Sequence, residues 1–109
     1  MCIRDRIIGV EPSESAVLSG GKPGFHKIEG IGEGFVPELV KKNMDMIDGF
    51  MAVSSSSAID MRRKLAREYG ILVGISSGAN VLAAMKLSKK YRNVVTVLPD
   101  RGERYLSNV

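Results

Sequence analysis

The 109 residues predict an α/β fold, a mostly parallel sheet flanked by helices. Three observations predict it. Short apolar runs alternate with longer segments whose apolar residues recur at helical spacing. The last run, Val94-Val95-Thr96-Val97-Leu98, is continuously apolar or β-branched, the pattern of a strand covered on both faces. Glycine, proline and serine stand at the junctions, where strands hand over to helices or loops.

Taken in order, Ile7-Ile8-Gly9-Val10 is a buried strand closed by Glu11-Pro12. Residues 13–18 have room for one or two helical turns before Gly20-Gly21-Lys22-Pro23-Gly24, a turn signal. Residues 25–37 follow as a loop, with Gly30, Gly32 and Gly34 at alternate positions. The spacing is wrong for a dinucleotide fingerprint, whose third glycine stands three positions after the second. Pro37 suits the first turn of a short helix over 38–42. Gly49-Phe50-Met51-Ala52-Val53 reads as a second strand.

Within Ser54-Ser55-Ser56-Ser57 one hydroxyl caps the next helix, and Ser57 with Asp60 has capping-box spacing. That helix places Ala58, Met61, Leu65 and Tyr69 on one stripe, turns Arg62, Arg63 and Lys64 away, and ends at Gly70. Ile71-Leu72-Val73 is a third strand. A further helix runs to about Tyr91, with its lysines at the negative end of the dipole. Residues 94–98 form the central strand, and Pro99-Asp100-Arg101-Gly102-Glu103-Arg104 the loop at its carboxyl end.

Composition narrows the function. The formal charge of +4 is spread over amphipathic helices, and six aromatics without basic interleaving argue against nucleic-acid binding. No stretch approaches the ~18 apolar residues of a membrane span. One cysteine and one histidine exclude an intrachain disulfide and a His/Cys metal cluster, and fit a reducing, cytoplasmic setting. Met1-Cys2-Ile3-Arg4-Asp5-Arg6 reads like a translated library-preparation adapter rather than a signal peptide. Residues 1–6 are therefore expected to be a non-native leader and residues 7–109 the domain portion.

The stretch Gly74-Ile75-Ser76-Ser77-Gly78-Ala79 carries the chemistry. A strand-to-helix turn with two hydroxyls and flanking glycines can hold a small polar ligand, or simply cap a helix. Ligands in such sheets sit at the carboxyl ends of strands, which favours a site here and at the loop after Leu98. Ser77 is the better placed for capping, which leaves Ser76 for the ligand.

Three phrases then converge: residues 26–37 (His26-Lys27-Ile28-Glu29-Gly30-Ile31-Gly32-Glu33-Gly34-Phe35-Val36-Pro37), residues 70–79, and residues 98–107. Together they resemble the C-terminal third of the cysteine synthase (O-acetylserine sulfhydrylase) and cystathionine β-synthase family of pyridoxal-phosphate enzymes. The resemblance implies the C-terminal part of a fold-type II large domain, incomplete by itself. It implies pyridoxal 5'-phosphate as cofactor, with Ser76 on the pyridine nitrogen, Gly30 lining the cleft, and Pro99 and Asp100 near the pyridine end. It implies an amino-acid substrate, a homodimer, and serine acetyltransferase as a partner of some members. No phrase matches the family's Schiff-base lysine, substrate-carboxylate loop or phosphate loop. The 109 residues alone are therefore expected to be inactive, with no catalytic or metal-ligating residue among them. The chemistry implied is β-replacement, O-acetylserine and sulfide giving cysteine and acetate. Cystathionine β-synthase, threonine dehydratase and tryptophan synthase β-subunit chemistry are the alternatives within the class. A non-catalytic anion- or nucleotide-binding α/β module is the alternative outside it.

Overall fold

A computed structural model describes residues 5–28, 31–32 and 34–101. Strand β1 (Ile8–Pro12) pairs in parallel with β2 (Gly49–Val53), in register from Ile8 opposite Gly49 to Pro12 opposite Val53. The connection carries a 3-10 turn (Ser13–Ser15), the glycine loop, the short helix α1 (Glu38–Lys42) and a second 3-10 turn (Met44–Met46). Pro37 is the residue before α1, where its missing N–H removes no helical bond. Two long helices follow, α2 (Ser55–Tyr69) and α3 (Ile75–Leu87).

The core forms where both helices close on the end of β2. Ile28, Val53, Ala58, Ile75, Ala79 and Ala83 make one buried cluster, flanked by Val10, Met51 and Leu82. A smaller cluster joins Met61 and Leu65 of α2 to Val73. The helices approach closely because Gly78 has no side chain. A Cβ there would lie 2.3 Å from the Ala58 carbonyl oxygen and 3.1 Å from the Arg62 nitrogen. Gly70 ends α2 at φ 66°, the left-handed conformation that glycine adopts without a Cβ penalty, and its N–H bonds the Leu65 carbonyl.

Five expectations need correction. The cap of α2 is Ser54, whose hydroxyl oxygen accepts from the Ser57 N–H at 3.2 Å; Ser57 already lies inside the helix. Arg62 is buried rather than turned away, because α3 packs over that part of α2, whereas Tyr69 at the helix end is exposed. Residues 71–73 form no strand and contribute only an isolated antiparallel bridge from Val73 to Arg101. Residues 94–98 are likewise not a strand. Val95 and Val97 are 93% and 66% exposed, because a β-branched run becomes a central strand only when neighbours supply a ladder and cover for both faces. Among the described residues no strand lies beside it. Helix α3 also stops earlier than residue 91, at Leu87, and continues only as turns.

Candidate functional site

The start of α3 is buried through its whole first turn, and Ser76 is 6% exposed. The helix has Gly74 as its N-cap and no side-chain cap. Ser77, expected to cap, instead reaches across the fold: its hydroxyl donates to Asp100 Oδ1 at 2.6 Å. The Gly74 N–H donates to the Asp100 carbonyl at 3.4 Å, and the Asp100 N–H approaches the Ser77 oxygen at the same distance. One turn further along α3, the Asn80 side-chain amide donates to the Val97 carbonyl at 3.1 Å. Residues 97–100 are thus fastened to α3 by side chains, although they form no strand.

The Ser76 hydroxyl makes no hydrogen bond to another described residue. The residue is 6% exposed, and its oxygen is not among the fully buried unpartnered atoms, so the hydroxyl keeps access to donate to a ligand. Asp100 stands beside it through the Ser77 bond, whereas Pro99 is exposed. Gly30 lies outside the described residues. Its loop nevertheless starts at the same place, because Ile28 and Ile75 are members of one buried cluster. The Ser76 turn, the Asp100 loop and the root of the Gly30 loop are therefore neighbours.

Sequence reasoning missed the side chains that hold these loops. Glu14 accepts from the Ser55 N–H at 2.9 Å, placing a carboxylate at the positive end of α2. Burial pushes the Glu14 pKa up, but bonds from the Ser55 and Glu14 backbone N–H groups and the Ser55 and Ser13 side chains outweigh it and hold the carboxyl below its ordinary value. Ser55 in turn accepts from the Lys27 N–H at 2.9 Å, anchoring the segment before Gly30. Glu11, 1% exposed, accepts from the Leu18 N–H at 2.8 Å. The second oxygen of Glu11 and the Ser15 hydroxyl are buried without a partner among the described residues. Both residues border a cavity of about 350 Å³ under the glycine loop, along with Ile31, Gly32 and Phe35; Ser76 is not in its wall. No spacing rule signals these bonds, since each joins residues brought together by the fold.

No group of three or more His, Cys, Asp or Glu side chains suited to a metal ion occurs among the described residues. No helix among them is long and apolar enough to cross a membrane.

Comparison with known proteins places this geometry. Residues 3–100 match the model of the pyridoxal-phosphate dependent enzyme family. A cysteine synthase of Staphylococcus aureus (strain Mu50 / ATCC 700699) is 49% identical over 104 residues, which are 93% of this chain and 33% of that protein. The crystal structure of cysteine synthase from Entamoeba histolytica superposes with a TM-score of 0.86 at 43% identity, over 94% of this chain and 31% of that one. An O-acetylserine dependent cystathionine β-synthase from Helicobacter pylori gives a TM-score of 0.84 at 48% identity, over 94% and 33%. The chain thus spans about a third of the length of the relatives it matches. Over that third, in both sequence and fold, the chain belongs to the pyridoxal-phosphate dependent enzyme family.

Proposed function

We propose that residues 7–109 form the C-terminal portion of the cofactor-binding domain of a cysteine synthase, which converts O-acetylserine and sulfide into cysteine and acetate. The observation that carries this reading is the Ser76 hydroxyl, on a residue only 6% exposed at the start of α3 and without a partner among the described residues. Its donor chemistry fits the pyridine nitrogen of pyridoxal phosphate. When bound, that cofactor supplies an electron sink for loss of the β-substituent of an amino acid. Ser76 would hold the ring through a neutral hydrogen bond, which leaves the nitrogen largely unprotonated and the sink moderate. Asp100 and Pro99 would border the pyridine end, and Gly30 would let the loop approach the substrate closely. The chain offers no segment like the family's Schiff-base lysine loop, so turnover is assigned to the complete gene product and not to these 109 residues alone. A homodimer, association with serine acetyltransferase and a cytoplasmic location belong to the same reading.

The test is an assay of the complete gene product with sulfide and, in turn, O-acetylserine, O-phosphoserine and serine. Cysteine formation fastest from O-acetylserine supports the reading. Preference for serine with a thiol amino acid as second substrate would move the protein to cystathionine β-synthase chemistry, the activity named for the Helicobacter pylori relative. Absence of bound cofactor from the purified protein would overturn both.

A further inference from the structure

Residues 97–100 belong to no strand, yet both ends of the segment are tied to α3. Val97 is 66% exposed, and no ladder holds it among the described residues. At the far end, the Ser77 hydroxyl donates to Asp100 Oδ1 at 2.6 Å and lies 3.3 Å from the Asp100 carbonyl oxygen. The Gly74 N–H donates to that same carbonyl at 3.4 Å. At the near end, the Asn80 side-chain amide donates to the Val97 carbonyl at 3.1 Å. Leu98 and Pro99, between the two, make no hydrogen bond to another described residue, and proline has no N–H to offer. Their placement depends on the two ends. Ser77 and Asn80 stand three residues apart in α3, hence on one side of the helix. The helix behind them is a fixed rail: Gly78 and Ala79 are buried, and a Cβ on Gly78 would lie 2.3 Å from the Ala58 carbonyl oxygen.

We infer that Asn80 is the positioning residue that sets Leu98-Pro99 against the Ser76 turn. A carbonyl only accepts, so the NH2 group of Asn80, and not its oxygen, faces Val97. With both ties made, the segment is held at two points on one rigid helix, the helix that also carries Ser76. With the Asn80 bond lost, the chain before Asp100 pivots on the Ser77 bond, so Pro99 shifts while Asp100 stays. Helix formation does not explain an asparagine here, because alanine suits a helix interior better. The inference rests on the proposed function for what Pro99 faces, the pyridine end of the cofactor; the tie to Val97 stands apart from that reading. A positioning bond can pass to the site no more than its own net worth, which for a neutral pair near the surface is a small factor.

The experiment uses the complete gene product with Asn80→Ala, which removes the amide, and Asn80→Asp, which keeps the shape but offers no donor. Both should weaken pyridoxal phosphate binding, read by titrating cofactor-free protein, about two- to fivefold. The thermal midpoint of cofactor-free Asn80→Ala should stay close to the parent's, because alanine's helix preference offsets the lost bond. Hydrogen exchange in the cofactor-free protein should quicken over residues 97–100 in both variants, with the first turns of α3 unchanged. A loss of affinity confined to Asn80→Asp would assign the effect to the added charge and overturn the inference. Unchanged exchange over residues 97–100 would overturn it too, as would faster exchange with cofactor affinity equal to the parent's. A parent protein that binds no cofactor would overturn the proposed function, and the exchange measurement would then decide the Asn80 tie by itself.

Discussion

The Ser77 hydroxyl donates to Asp100 Oδ1 at 2.6 Å, joining the first turn of α3 to a loop 23 residues further along the chain. Ser77 is fully buried, so the bond is shielded and the carboxylate makes it charge-assisted. Removing it should cost about 1.5–3 kcal/mol, the range for hydrogen bonds to charged groups. Ser77→Ala is expected to lower the urea midpoint accordingly and to raise hydrogen exchange at the Asp100 amide. An unchanged midpoint together with unchanged exchange would show that the loop is held by other contacts.

Ser76 is expected to behave differently from its neighbour, because it has no protein partner among the described residues to lose. Ser76→Ala should leave the denaturation midpoint nearly unmoved while weakening cofactor binding in the complete gene product about fivefold, the equivalent of one neutral hydrogen bond. Ser76→Asp should change the ratio of replacement to side products, because a carboxylate would keep the ring nitrogen protonated. Product analysis of the two variants side by side checks both statements.

Gly78→Ala tests the packing of the two long helices. A Cβ would lie 2.3 Å from backbone at Ala58, and backbone cannot swing aside as a flexible side chain can. The helices must separate, at a cost of about 1–3 kcal/mol or more. Thermal unfolding reads the loss. A variant as stable as the parent would mean that α2 and α3 do not pack as described.

Glu14 makes part of the stability depend on pH. Its folded pKa lies below the ordinary value, so the carboxylate favours the folded state above the unfolded pKa. That contribution fades as pH falls through the ordinary carboxylate range and is gone below the lowered folded value. The side chain is largely solvent-exposed, so the effect is small. Glu14→Gln should flatten this acid limb in denaturation midpoints measured across acidic pH; a limb as steep as the parent's would assign the dependence to other groups.

Much of the architecture was legible because local chemistry and fold agreed. Gly49–Val53, the short helix Glu38–Lys42 and the left-handed stop at Gly70 stand where apolar runs, Pro37 and Gly70 predict them. The stripe of Ala58, Met61 and Leu65 is buried as its spacing requires. The strand readings of residues 71–73 and 94–98 failed for one shared reason. Apolarity marks a segment as wanting burial between neighbours, but a ladder needs those neighbours present.

By itself, then, the sequence determined the α/β class, two of the strands and the three helices, the family through the phrases around Gly30, Ser76 and Asp100, and offered Ser76 as the ligand-facing candidate. Only tertiary structure decided what the other polar groups do. Ser77 bonds Asp100 instead of capping α3, Glu14 accepts from the first N–H of α2 from 41 residues away, and the two ring nitrogens of His26 meet the Gly32 carbonyl and the Ile28 N–H. The reason is physical. A periodic apolar pattern is written in neighbouring residues, whereas a buried hydrogen bond goes to whichever donor or acceptor the folded chain brings within about 3 Å.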